Sequence, residues 1–135
     1  MKTESPLHVV AAVIWRDGRY LAVQRPEGKP MAGYWEFPGG KVEQGETLEQ
    51  ALVRELSEEL AITVEDFFLW RQVPHSYPDM DVFLHFFWVT SFHGKPFPLE
   101  KQSMLWVDPE GELPSFLQAD LEIVAELAKV SVSRI

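Results

Sequence analysis

Between Gly40 and Ile62 the chain reads GKVEQGETLEQALVRELSEELAI, and this stretch constrains the fold more than any other. Glutamates crowd it, at Glu46, Glu55, Glu58 and Glu59 among others. Carboxylates gathered on one short helix repel one another and resist leaving water, so their placement needs a physical reason. Thr47 and Gln50 have the spacing of a capping box, which predicts a helix starting near Leu48. At about 100° per residue, Leu48, Leu52, Glu55 and Glu59 fall on one stripe. Glu58 lies at the edge of that stripe, four residues after Arg54 and within pairing reach of it. The carboxylates therefore point where the leucines point, toward the body of the protein, whereas a solvated acidic face would point away. Just before the helix, Phe37-Pro38-Gly39-Gly40 reads as a turn whose glycines let backbone come close to a ligand. Inward carboxylates beside such backbone are the donor set of a divalent cation with oxygen ligands.

The remainder of the chain supplies a framework for this segment. His8 to Trp15 is a nearly continuous apolar run, as in a strand buried on both faces. Asp17-Gly18 predicts a hairpin turn into a second strand, Tyr20 to Gln24. A short extended segment through Trp35-Glu36-Phe37 follows. After the acidic helix another extended stretch starts at Ile62, and Val82 to Val89 and Met104 to Val107 read as strands. Gly94 to Pro98 reads as loop, and Leu121, Val124 and Ala128 sit at helical spacing in a closing helix over 120–130. Strands interrupted by two helices predict an α+β fold, an α/β/α sandwich around a mixed β-sheet. At 135 residues with 46% hydrophobic content, the chain is long enough for one core and too short for two, so residues 1–135 are expected to form a single domain.

Charge and cysteine usage narrow the partners. A net charge of −9 disfavours a nucleic-acid backbone, which wants a basic surface, but permits a small polyphosphate bridged to glutamate by cations. The absence of cysteine excludes a disulfide framework and a thiolate zinc site. With no long apolar stretch and no leader-like start, a soluble cytoplasmic protein without membrane contact is expected. His75, His85 and His93 lack ligand-like spacing and read as structural, and Trp15, Trp70, Trp88 and Trp106 read as core.

The acidic segment resembles the Nudix box, G-x5-E-x7-R-E-U-x-E-E-x-G-U with U a bulky aliphatic. Gly40, Glu46, Arg54, Glu55, Leu56, Glu58, Glu59 and Ile62 match it, while Ala61 stands where the pattern has glycine. That position follows the helix, where left-handed backbone is often wanted, so the departure bears on local geometry and not on chemistry. The resemblance implies the Nudix fold and hydrolysis at phosphorus in a nucleoside diphosphate linked to another group. It implies Mg2+, with Mn2+ as the alternative, held by Glu55, Glu58, Glu59 and the Gly40 carbonyl. Glu55 is the first candidate to orient or deprotonate the water, and Glu100 matches the extra acidic residue of MutT-type proteins. Glu100 reads equally as an exposed loop residue. A non-catalytic nucleotide-sensing module is the rival reading, but such modules usually lose box glutamates, and this chain keeps them.

Beyond the box, Trp35 to Gly40 (WEFPGG), Tyr77-Pro78-Asp79, Glu100 with Gln102, and Ala119-Asp120 resemble the MutT group of nucleoside triphosphate pyrophosphohydrolases. By that resemblance Arg25 meets substrate phosphate, Phe37 lies against the base, Asp79 belongs to the substrate site, and Asp120 hydrogen-bonds the base edge. Asp120 reads equally well as a helix N-cap. MutT has asparagine at this position, and an ionised aspartate can only accept. Met80 replaces an arginine. The expected substrate is 8-oxo-dGTP or another oxidised nucleotide; the alternative is CTP, dCTP or a modified cytosine nucleotide. Whether the protein is a monomer or a dimer is left open by the sequence.

Overall fold

In a computed structural model, residues 5–133 are described. The central strand β1 (Leu7–Arg16) explains its own unbroken hydrophobicity. Val10, Ala12 and Ile14 pack into one core and Ala11 and Val13 into another, on opposite faces of the sheet. Asp17 and Gly18, with φ of 54° and 77°, turn the chain into β2 (Arg19–Gln24). Positive φ at both positions is what a two-residue hairpin of the type I′ class requires.

β1 lies between β2 and a parallel partner, β6 (Asp81–His93), which in turn pairs antiparallel with β5 (Thr63–Ser76) at the sheet edge. The short strand β3 (Trp35–Glu36) and β7 (Met104–Val107) both pair with β2. Helix α1 (Leu48–Leu60) packs Ala51, Leu52, Leu56 and Leu60 against the Val10 face. Helix α2 (Leu121–Ser133) packs Ile123, Val124 and Leu127 against the Val13 face. The expected α/β/α sandwich with a mixed sheet is therefore present.

Three local expectations change. Pro38-Gly39-Gly40 is not a free turn: Gly39–Lys41 forms a strand, β4, antiparallel to β1 with Gly40 opposite Val10. A Cβ at Gly39 would overlap the Val10 carbonyl, so only glycine lets this strand close. The stretch starting at Ile62 continues as strand to Ser76, through polar residues and three register shifts against β6. Bulges of this kind break the period-2 pattern by which a strand is read from sequence. Finally, a 3-10 turn over Gln118–Asp120 precedes α2, so the helix proper starts at Leu121.

Candidate active site

Thr47 and Gln50 exchange both bonds of a capping box at 2.9 and 3.0 Å, which starts α1 where the sequence indicates. Starting there sets the phase of every later side chain. Glu59 consequently falls inside the arc marked by Leu48, Leu52 and Leu56 and Glu55 at about 20° from its edge, and both are half-buried. Glu59 accepts from the Gly39 amide at 3.1 Å and from Gln102 Nε2 at 3.4 Å. The Glu55 carboxylate occupies the space that a Cβ at Gly40 would need. The glycine pair thus admits two carboxylates to the sheet, one through each residue.

Glu46 and Arg54, both fixed positions of the box, have a different task. Arg54 donates to Glu46 at 2.7 and 2.9 Å and to the Lys41 carbonyl at 2.9 Å, clamping β4, the following loop and α1 together. The hydrogen bonds from Arg54 and the Glu43 backbone hold the Glu46 carboxyl below its ordinary range. Arg54 also reaches Glu58 at 3.3 Å, the pair expected four residues apart.

Glu58 is exposed and pairs with Arg54, whose Nη1 lies 3.3 Å from Glu58 and 3.5 Å from Glu55. Among the described residues no three acidic or histidine side chains are grouped tightly enough to hold one ion, as mutual repulsion would dictate for bare carboxylates. Burial, and after it the neighbouring carboxylates, registers in their acidity. Burial pushes Glu59 up to about 8, and Glu36, Glu100 and Glu55 push in the same direction. Burial also raises Glu55, with Glu58, Glu100 and Glu43 adding to it against the opposing effect of Arg54. Glu100 is exposed in its loop, yet its charge reaches Glu36, Glu55 and Glu59, so it faces this cluster. The donor set of carboxylates with glycine backbone fits a hard divalent cation, which Glu55 and Glu59 could hold with Gly40 beside them.

A cavity of about 290 Å³ opens next to the cluster, lined by Arg25, Glu36, Phe37, Tyr77 and Asp120 with aliphatic side chains of β1 and β6. Phe37 is held by Tyr20, Phe86 and Phe116 with ring centroids 5.5–5.6 Å away, which fixes the cavity wall. Asp120 is 6% exposed, and no group among the described residues hydrogen-bonds its carboxyl. It therefore does not cap α2. Burial pushes its carboxyl up to about 8, Glu36 adding and Arg25 opposing. A carboxyl raised that far favours its protonated form at neutral pH, which both donates and accepts, whereas the ionised form only accepts.

Arg25 lies in this cavity, donating to the Pro30 carbonyl at 2.7 Å and to Glu36 at 3.2 Å. Asp79 is not brought to the site: it sits exposed at the tip of the β5–β6 hairpin, closed by Tyr77 and Met80 backbone bonds. Tyr77, two residues earlier, lines the cavity in its place. Glu36 was passed over in the sequence although it stands between Arg25, Asp120 and Glu59. Its signal was an acidic residue in the otherwise apolar Trp35-Glu36-Phe37 segment.

Residues 6–127 match the family model described as NUDIX domain. The chain is 46% identical over 109 residues to the CTP pyrophosphohydrolase of Escherichia coli (strain K12), covering 79% of each. It is 45% identical over 96 residues to the 8-oxo-dGTP diphosphatase of Proteus vulgaris, covering 70% of this chain and 86% of that one. A crystal structure of the MutT NUDIX hydrolase from Burkholderia pseudomallei superposes with a TM-score of 0.82 at 32% identity, covering 92% of this chain and 98% of the other.

Proposed function

The chain belongs to the NUDIX domain family as a MutT-like nucleotide pyrophosphohydrolase, and from that premise we propose Mg2+-dependent cleavage of a nucleoside triphosphate to monophosphate and pyrophosphate. One observation carries the reading: the Glu55 and Glu59 carboxylates, set against Gly39 and Gly40, adjoin a cavity that ends on a buried, unpaired Asp120. The first half of that arrangement suits a phosphate chain and the second half a base.

Glu55 and Glu59, joined by Glu58 once it leaves Arg54, would hold the divalent cations, with Mn2+ able to replace Mg2+. Such cations would neutralise phosphate charge and lower the pKa of bound water. The residues of the chain do the rest. Glu55 takes the proton of the attacking water, or Glu100 does so from the loop facing it. Arg25, held in a fixed orientation by Glu36 and Pro30, presents a guanidinium to phosphate. Phe37 walls the base side of the cavity, and Asp120 meets the base edge.

8-oxo-dGTP is the leading substrate. A protonated Asp120 offers a donor beside an acceptor, as an amide does, and 8-oxoguanine presents the complementary N7–H beside O6. Cytosine also pairs a donor, its N4 amino group, with the N3 acceptor, and the similarity to a CTP pyrophosphohydrolase favours CTP or dCTP as the second reading. The reading places the enzyme in the cytoplasm, acting on free nucleotides; among the described residues no helix is long and apolar enough to cross a membrane.

Pyrophosphate release from a panel of oxidised and normal nucleotides, with Mg2+ or Mn2+, decides between the bases. Glu55→Gln is expected to lower kcat about 100-fold or more, and an unchanged rate would refute its role. Asp120→Asn, which keeps a donor beside an acceptor, is expected to keep the base preference, whereas Asp120→Ala removes both and should flatten it. An unaltered base preference in Asp120→Ala would remove Asp120 from recognition.

A further inference from the structure

At the far end of β1 from the carboxylates, a second cavity of about 400 Å³ is lined by Arg16, Asp17, Arg19, Lys95, Met104 and Trp106. Five residues of strand separate Ala11, beside the first cavity, from Arg16, a span of about 16 Å. Arg16 and Arg19 stand directly opposite each other across the β1–β2 ladder. Like charges in that relation destabilise a strand pair.

Neither arginine is compensated. Among the described residues, Arg16, Arg19 and Lys95 form no ion pair, although the chain carries 21 acidic residues against 12 basic ones. Asp17, between the arginines in sequence and on the rim of the same cavity, forms an ion pair with neither. Arg16 is fixed by stacking over Phe92 at 4.3 Å, so its charge is held in place and not dispersed in solvent. Trp106 supplies an aromatic wall.

We propose that this cavity is a binding site for a phosphate-bearing small anion, separate from the catalytic centre. An anion seated between Arg16, Arg19 and Lys95 removes the repulsion that the ladder imposes, and the guanidinium fork matches phosphate oxygens. The phosphate can belong to a nucleotide whose base stacks on Trp106 or to free phosphate or pyrophosphate; the site chemistry is the same.

The test uses the whole protein in EDTA, where the acidic catalytic site has no cations with which to hold phosphate. Thermal melts and calorimetric titrations are run with inorganic phosphate, pyrophosphate and AMP, against sodium chloride at equal ionic strength. The expected result is a saturable rise in Tm with the phosphate ligands that chloride does not give. Arg19→Glu places opposite charges across the ladder. It should fold with a Tm at or above wild type and weaken phosphate binding at least tenfold, while Lys95→Glu weakens it without that gain. Glu59→Gln should bind as wild type does, which separates this site from the catalytic reading. Trp106→Ala weakens AMP alone if the occupant is a nucleotide and leaves all three unchanged if it is a free phosphate. Absence of saturable binding, or binding retained in both Arg19→Glu and Lys95→Glu, would overturn the proposal.

Discussion

Glu59 on α1 accepts a hydrogen bond from the Gly39 amide at 3.1 Å, tying the acidic end of the helix to the strand β4. The two glycines of that strand answer to different neighbours, and substitution should distinguish them. At Gly39 a Cβ meets the Val10 carbonyl, which is backbone in the central ladder and cannot give way. Gly39→Ala is expected to lose about 2–3 kcal/mol in denaturant melts. At Gly40 the nearest atoms a Cβ meets are those of the Glu55 carboxylate, the far end of a flexible side chain. Gly40→Ala should therefore stay folded while kcat falls about 100-fold, because the carboxylate is moved from its place. A wild-type rate in Gly40→Ala would contradict the position assigned to Glu55.

The buried carboxyls make a prediction about pH. Burial raises Asp120 from 3.8 and Glu59 from 4.5, each to about 8, so the folded state holds protons that the unfolded chain has released. Their contribution to stability is present in full below about pH 4 and is lost as pH rises through about 8. His85, lowered by burial and by His8, acts in the opposite sense near its ordinary range, against Asp120, Glu59 and the likewise raised Glu55 and Glu36. The Tm of metal-free protein is expected to fall between about pH 5 and 8, and the fall should be shallower in Asp120→Asn. A Tm that climbs over this interval would show the carboxyls to be ionised throughout.

Ala61 ends α1 with φ 58° and ψ 32°, donating its amide to the Leu56 and Ser57 carbonyls. This is left-handed backbone on a residue with a Cβ, and glycine removes the penalty. Ala61→Gly should raise stability by about 1 kcal/mol in a urea titration and leave turnover alone.

Arg54 holds three segments at once, through Glu46, the Lys41 carbonyl and Glu58. Arg54→Ala should cost about 1–3 kcal/mol and weaken Mg2+ binding, since β4 and the loop after it lose their common anchor. Arg54→Lys should recover only part of both, because an ammonium cannot reproduce the fork. Calorimetric Mg2+ titration beside a thermal melt reads the two effects separately.

Sequence periodicity was sufficient for much of this protein. The capping box and the 3.6-residue repeat set the start and phase of α1, so the inward aim of Glu55 and Glu59 was legible from residues 47–59 alone. The doubly buried β1 and the Asp17-Gly18 hairpin were legible for the same reason: local pattern and turn chemistry act over a few residues. Pairing across the chain was not. The conversion of Gly39-Gly40 into a strand, the polar run of β5 and the exclusion of Asp79 from the cavity depend on which strand lies alongside. The meeting of Glu36, Arg25 and Asp120, from three separate segments, depends on it equally. The protonation of Asp120 also belongs to the tertiary structure, because desolvation is a property of surroundings that no single segment contains. The sequence by itself determined a helix that aims carboxylates inward; packing alone decided which charges those carboxylates meet and what lies beside them.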